Sequence, residues 1–363
     1  MSPLHPAQAP WVTASTLRIG AGGVPPRVQD SSCAQVSYKG GAGVAVTARK
    51  LEERIARLVA PDVSVAEIRD AMRAKIGVLV AGAAKLVAAR EEISLYPELA
   101  PAFARLTERA VERDPQCRGK IAIARALHQL DRWEDEVFVR GVTYVQEEPV
   151  WGGREDTAAE LRGVCGLAYA HAGRSDALDV LAELLADPQR MARTAAAQAL
   201  GDSGRPDATA LLRFKIRTGD PEPAVIGACF GSLLALAPTA SLAYVAGFLG
   251  DDVDERAEGA ALALGESRLA AAAPILIAWC ERVAADVRAR VGYLALALLR
   301  DETGNARLLE VVASGAEDDA LAALRALATF KADPRLTERV RTAARASRVR
   351  AVRDEADAAL ASS

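Results

Sequence analysis

Aromatic residues make up only 4% of this 363-residue chain, and valine, isoleucine and threonine seldom run together. Strands draw on those residue types, so a mainly β fold is excluded and an all-α fold is expected. Cysteine is sparse as well. The five cysteines (Cys33, Cys117, Cys165, Cys229, Cys280) are odd in number, widely spaced and never arranged as C-x-x-C, which argues against a disulfide framework and a zinc site and fits a reducing cytoplasm. Long apolar runs are missing too: "IGVLVAGAA", between Lys75 and Lys85, is nine residues and too short to cross a bilayer, so no membrane role is expected. The opening "MSPLHPAQAPWVTASTLRIG" has neither a basic start nor a continuous apolar core, and does not read as a secretory signal. A formal charge of −3 and a pI near 5.8 give no bulk drive toward nucleic acid or anionic membrane.

What is present is alanine and leucine at helical spacing. Residues 1–46 are rich in Gly, Pro, Ser and Ala without periodicity and predict a flexible or irregular arm. From Thr47 helical spacing takes over, with Ser64 and Glu67 set as a capping box, so residues 47–74 are expected to form capping helices. A repeat then emerges. Asp156, Asp187, Asp220, Asp251, Ala284 and Glu317 are separated by 31, 33, 31, 33 and 33 residues. Nine residues after each come Cys165, Ala196, Cys229, Ala260, Tyr293 and Ala326; thirteen after come Tyr169, Leu200, Leu233, Leu264, Ala297 and Phe330. Offsets of nine and thirteen share one helix face, which must be apolar, and its small residues suit close stacking, so Cys165 and Cys229 read as packing residues. The leading Asp, followed by Pro at 114, 187, 220 and 333, is suited to cap a helix start. A second apolar segment follows each first helix, as in "DATALLRFKI" (207–216).

The form "DPQRMARTAAAQALGDSGRPDATALL", with Arg193 six after Asp187, resembles the short HEAT-like repeats of the E/Z type described in phycobilin lyase subunits. The resemblance spans residues 75–346, although its arginine column is only half kept (Arg162, Arg193, Ile226, Ala257, Arg290, Ala323). It implies a superhelical α–α solenoid whose concave face is lined mainly by second helices and serves as a platform for another macromolecule. Residues 347–363 are expected to form a basic capping helix.

The tetrad Gly-Asp-Ser-Gly at 201–204 also surrounds the nucleophile of trypsin-like proteases. Its near-copy Gly265-Glu266-Ser267, two units on, marks it instead as a helix end in which the glycine takes the left-handed cap. Similar repeats in deoxyhypusine hydroxylases hold two irons through His-Glu pairs, but His5, His128 and His171 precede Pro6, Gln129 and Ala172. No metal, cofactor or catalytic residue is expected. Seven arginines between Arg335 and Arg353 face Glu338 alone, and Arg213 and Arg217 share a helix face. No aromatic residue follows Phe330, so a stacking platform for single strands is missing there. The spacing from Asp114 to Asp156 is 42, about ten residues too long, and the excess falls in "YVQEEPVWGGRED", a loop carrying Trp151. The chain therefore reads as a non-catalytic adaptor binding another protein through Trp151, Arg213, Arg217, Arg339, Arg341 and Arg345. A nucleic-acid-binding or nucleic-acid-modifying protein of the glycosylase kind, or a lyase-type accessory subunit, is the alternative, with nucleic acid possible but not favoured.

Overall fold

The computed structural model describes residues 48–250 and 255–360. The expected arm, Cys33, His5 and Asp251 lie outside them. Val46–Ser363 form one unit. Its elements are α1 (Ala48–Val59), α2 (Val65–Met72), α3 (Gly77–Arg90), α4 (Tyr96–Thr107), the single turn α5 (Ala110–Arg113), α6 (Arg118–Gln129) and α7 (Asp135–Gly141). A hairpin, β1 (Glu147–Val150) and β2 (Gly153–Asp156), leads into α8 (Ala159–His171), α9 (Ala177–Leu185), α10 (Arg190–Asp202), α11 (Ala208–Thr218), α12 (Pro223–Leu236), α13 (Pro238–Ala246), α14 (Glu255–Glu266) and α15 (Ala272–Arg282). The short α16 (Ala285–Val287) runs through a π turn, Arg288–Gly292, into α17 (Tyr293–Leu299). The array closes with α18 (Glu302–Ser314), α19 (Glu317–Ala328), α20 (Pro334–Ala346) and α21 (Arg350–Ala359).

The helices form two rows of an α–α superhelical solenoid. First helices α3, α6, α8, α10, α12, α14, α17, α19 and α21 each touch the next, and the second helices back them with less continuous mutual contact. The tight row is made possible by small residues: Cys165, Ala196, Cys229 and Ala260 are all fully buried, as are Leu200, Leu233 and Leu264 one turn on. The core lies between the rows, because one helix pair cannot cover its own apolar faces.

Ser203 ends a helix. Its Oγ donates to Leu200 O at 2.7 Å and accepts from Arg205 N, and Ser267 repeats this with Leu264 O at 2.6 Å and Leu269 N. The glycine assignment is corrected, however. Gly201 is inside α10, where a Cβ would come within 2.7 Å of Ser232 Cβ, and the left-handed residue is Gly204 at φ +64°. In the second copy Gly265 likewise packs against the Ala295 backbone, and Arg268 takes the left-handed position at φ +54°.

The Asp and Arg columns meet across units. Asp187 accepts from its own Gln189 N at 2.7 Å and from Arg162 of the preceding unit at 2.7 and 2.9 Å. Asp220 repeats this with Glu222 N and with Arg193, both of whose bonds are 2.8 Å, and adds Lys215 Nζ at 2.8 Å. Asp156 closes the near end on Arg162 at 2.7 Å. At the π turn the pairing shifts by two residues: Arg288 holds Asp319 at 2.9 Å while Arg290 reaches Glu258. Bidentate pairs of this kind fix orientation as well as contact.

Candidate functional site

The ten extra residues before Asp156 form an antiparallel hairpin, which the helix-breaking composition alone did not indicate. Register pairs Val150 with Gly153, leaving Trp151 and Gly152 as a two-residue turn with Gly152 at φ +89°. No alternation of apolar residues builds this ribbon. Side-chain hydrogen bonds to the preceding unit do. There Asp114, fully buried, accepts from Gly119 N (2.7 Å), Lys120 N (3.1 Å) and Lys120 Nζ (2.9 Å). The turn that follows holds Gln116 and Cys117 at φ +59° and +53°, a strained conformation for non-glycine residues. Glu148 of β1 supports it: Oε1 accepts from Gln116 N (2.5 Å), Thr157 Oγ1 (2.7 Å) and Gln146 Nε2 (2.8 Å), and that amide also donates to Asp114 O. Burial would raise the Glu148 carboxyl, but the bonds from Thr157, Gln146 and the Gln116 amide outweigh it and hold the group below its usual range.

At the tip Trp151 is wholly exposed, at 104% of its reference area, so the indole does not fold back over a helix end. Beside the hairpin runs a groove of about 1010 Å³ walled by α1, α3, α6, α8 and α10 and by β2. Its floor is apolar or small, including Ile55, Val78, Ala81, Ile121, Ala122 and Ala159. Among its charged residues, Glu160 is taken by Arg125 at 2.6 Å and Asp156 by Arg162. That leaves Lys85, Arg118 and the loosely held Arg190, 3.8 Å from Glu222, against Glu155 alone. The groove opens on first helices. Apart from α1, every helix that lines it belongs to the first row.

The six residues chosen from the sequence do not converge. Trp151 stands on the hairpin. Arg213 and Arg217 lie on α11 of the second row, with the Arg213 guanidinium 4.6 Å over the Tyr244 ring and Nη2 donating to Ala240 O; Arg217 is exposed. On α20, Arg339 makes two bonds to Glu302 at 2.7 and 2.9 Å, Arg341 donates to Leu360 O, and Arg345 lies 4.0 Å from Glu338. Sequence reasoning missed Lys85, Arg118, Glu148 and the Asp114–Lys120 pair. The long Asp114-to-Asp156 spacing marked the segment, and Lys120 stands six after Asp114, but the Glu148 contact to Gln116 spans thirty-two residues and left no local signal.

Chemistry at buried thiols is disfavoured, since burial pushes Cys117, Cys229 and Cys280 up to about 12 and Cys165 higher still. Among the described residues no group of three or more His, Cys, Asp or Glu side chains is placed to hold a metal ion, and no helix is long and apolar enough to cross a membrane.

A family model described as HEAT repeats matches residues 153–214. Among solved structures, the complex of CpcE and CpcF of phycocyanin lyase from Nostoc sp. PCC7120 contains a chain similar at 16% identity, covering 92% of this chain and 98% of that one, with a TM-score of 0.30. No curated protein matches the sequence.

Proposed function

We propose, on the premise that the chain is a HEAT-like repeat protein, that it is a non-catalytic scaffold that binds another protein at the groove and the Trp151 hairpin. The observation that carries this reading is a fully exposed tryptophan on a hairpin tied to the array by a partly buried polar network. Exposure of a whole indole is unfavourable in the free chain and becomes an advantage when a partner covers it. The cations left over in the groove favour a partner segment bearing carboxylates. Arg213 and Arg217, and Arg339, Arg341 and Arg345, belong to separate surfaces and are proposed as secondary contacts; Arg339 must release Glu302 before it can engage one.

Affinity capture from the source cell tests this, with the intact chain beside Trp151→Ala and a variant reversing Arg339, Arg341 and Arg345 to Glu. Loss of an interface tryptophan costs about 2 kcal/mol or more, so Trp151→Ala is expected to release the captured protein about thirty-fold more readily. Capture unchanged by both variants would refute the contact residues. Nucleic acid in the eluate, shed by moderate salt, would favour the nucleic-acid alternative instead.

A further inference from the structure

We infer that the partner enters the groove as an extended strand and pairs with the open edge of β2, a proposal that rests on the groove-and-hairpin reading above. The ladder itself shows which backbone groups are free. Thr157 N donates to Gln146 O at 3.0 Å, and the register places these two residues opposite each other. Gln146 N donates to Asp156 Oδ1 instead of completing that pair, at 3.1 Å. Pairs 148/155 and 150/153 are in the same phase and exchange the ladder bonds, and residues 147, 149, 154 and 156 turn their N–H and C=O groups outward. The two edges differ. On β1 the outward position 149 is proline and has no N–H, and the outward carbonyl of Glu147 accepts from Arg154 Nη2 at 2.7 Å. Proline and a covering side chain are the devices by which proteins close a strand edge to pairing.

On β2 the N–H and C=O of Arg154 and Asp156 have no hydrogen-bond partner among the described residues. This open edge is on the groove side: Glu155, Asp156 and Thr157 line the groove, and no residue of β1 does. Chemistry of the occupant follows from the charges. Lys85, Arg118 and Arg190 stand against Glu155, so the strand that fits carries carboxylates along with apolar side chains for the floor formed by Ile121, Ala122 and Val78. Main-chain pairing supplies affinity, and the groove selects the side chains.

The probe is an acetylated, amidated octapeptide of alternating valine and glutamate, compared with a peptide of equal charge in which leucine, alanine and glutamate have helical spacing. Binding is measured by calorimetry on the full chain, and amide exchange is followed over residues 147–157. The alternating peptide is expected to bind more tightly and to slow exchange at Arg154 and Asp156 about ten-fold. Arg154→Pro removes one outward donor and should weaken binding about ten-fold, whereas Arg154→Ala, which keeps the N–H, should stay within about three-fold. Because proline can disturb the ribbon, a second arm leaves the protein intact: N-methylation of one alternate set of peptide residues abolishes binding, and methylation of the other set does not. Equal binding by Arg154→Pro and Arg154→Ala together with equal effects of both methylated sets overturns the strand. Tighter binding of the helical peptide, lost in Trp151→Ala, overturns the strand and keeps the scaffold reading. Failure of both peptides to bind, or protection of the β2 amides by self-association alone, overturns the proposal for this groove.

Discussion

Asp187 and Asp220 each hold the turn before a helix and the neighbouring unit at once, accepting a backbone amide two residues on and the guanidinium of the unit before. Burial would raise the Asp220 carboxyl, but Arg193, Lys215 and the Glu222 amide hold it at about 2. A carboxyl lowered in the folded state contributes stability above its unfolded value, and that contribution is lost as pH falls from about 4 toward about 2. Asp220→Asn should therefore lower the denaturation midpoint at neutral pH and flatten its decline on acidification, as followed by circular dichroism. The column of aspartates was legible from the repeat, but the expected helix cap is corrected at 187 and 220: α10 and α12 start after Gln189 and Glu222, and the carboxylates bond the amides of those two residues in the turn before the helix. The bond from Arg193 to Asp220 was not read from the sequence, although the fixed offset of six between Asp187 and Arg193 was its trace. At Asp114 the partner is Lys120, and neither side chain has any exposure. Lys120→Met leaves a carboxylate buried without its counter-ion and is expected to cost about 3–5 kcal/mol in urea unfolding.

The hairpin is the element that sequence patterning concealed. "EEPV" and "GRED" are too polar and too short to signal strands, and their pairing depends on Glu148 reaching Gln116, thirty-two residues away. Such contacts leave no periodicity behind. Only the excess length and Trp151 were readable, and they located the segment without revealing its form. If Glu148 is what ties the ribbon to the strained Gln116–Cys117 turn, Glu148→Ala should raise amide exchange across residues 147–157 and depolarise Trp151 fluorescence. The global unfolding free energy should change by less than about 2 kcal/mol, since the hairpin buries little. An unchanged exchange rate would mean that the two-residue turn alone holds the strands.

Across the whole molecule the period of 31 to 33 residues made the stacked helix pairs legible, because small residues nine after each start, such as Ala196 and Cys229, are where neighbouring first helices meet. The period does not reveal how closely neighbouring first helices approach. That is a three-dimensional outcome of residues such as Gly265, where a Cβ would lie 2.3 Å from Ala295 O. Gly265→Val should part α14 from α17 and split the single urea transition into two, as expected when units couple only to their neighbours. The most direct test of the scaffold at the groove is hydrogen exchange on the chain with and without the protein it captures. Protection is expected on residues 147–157 and on the groove faces of α3, α6, α8 and α10. Protection confined to the second-row helices, with Trp151 and its hairpin unchanged, would contradict it.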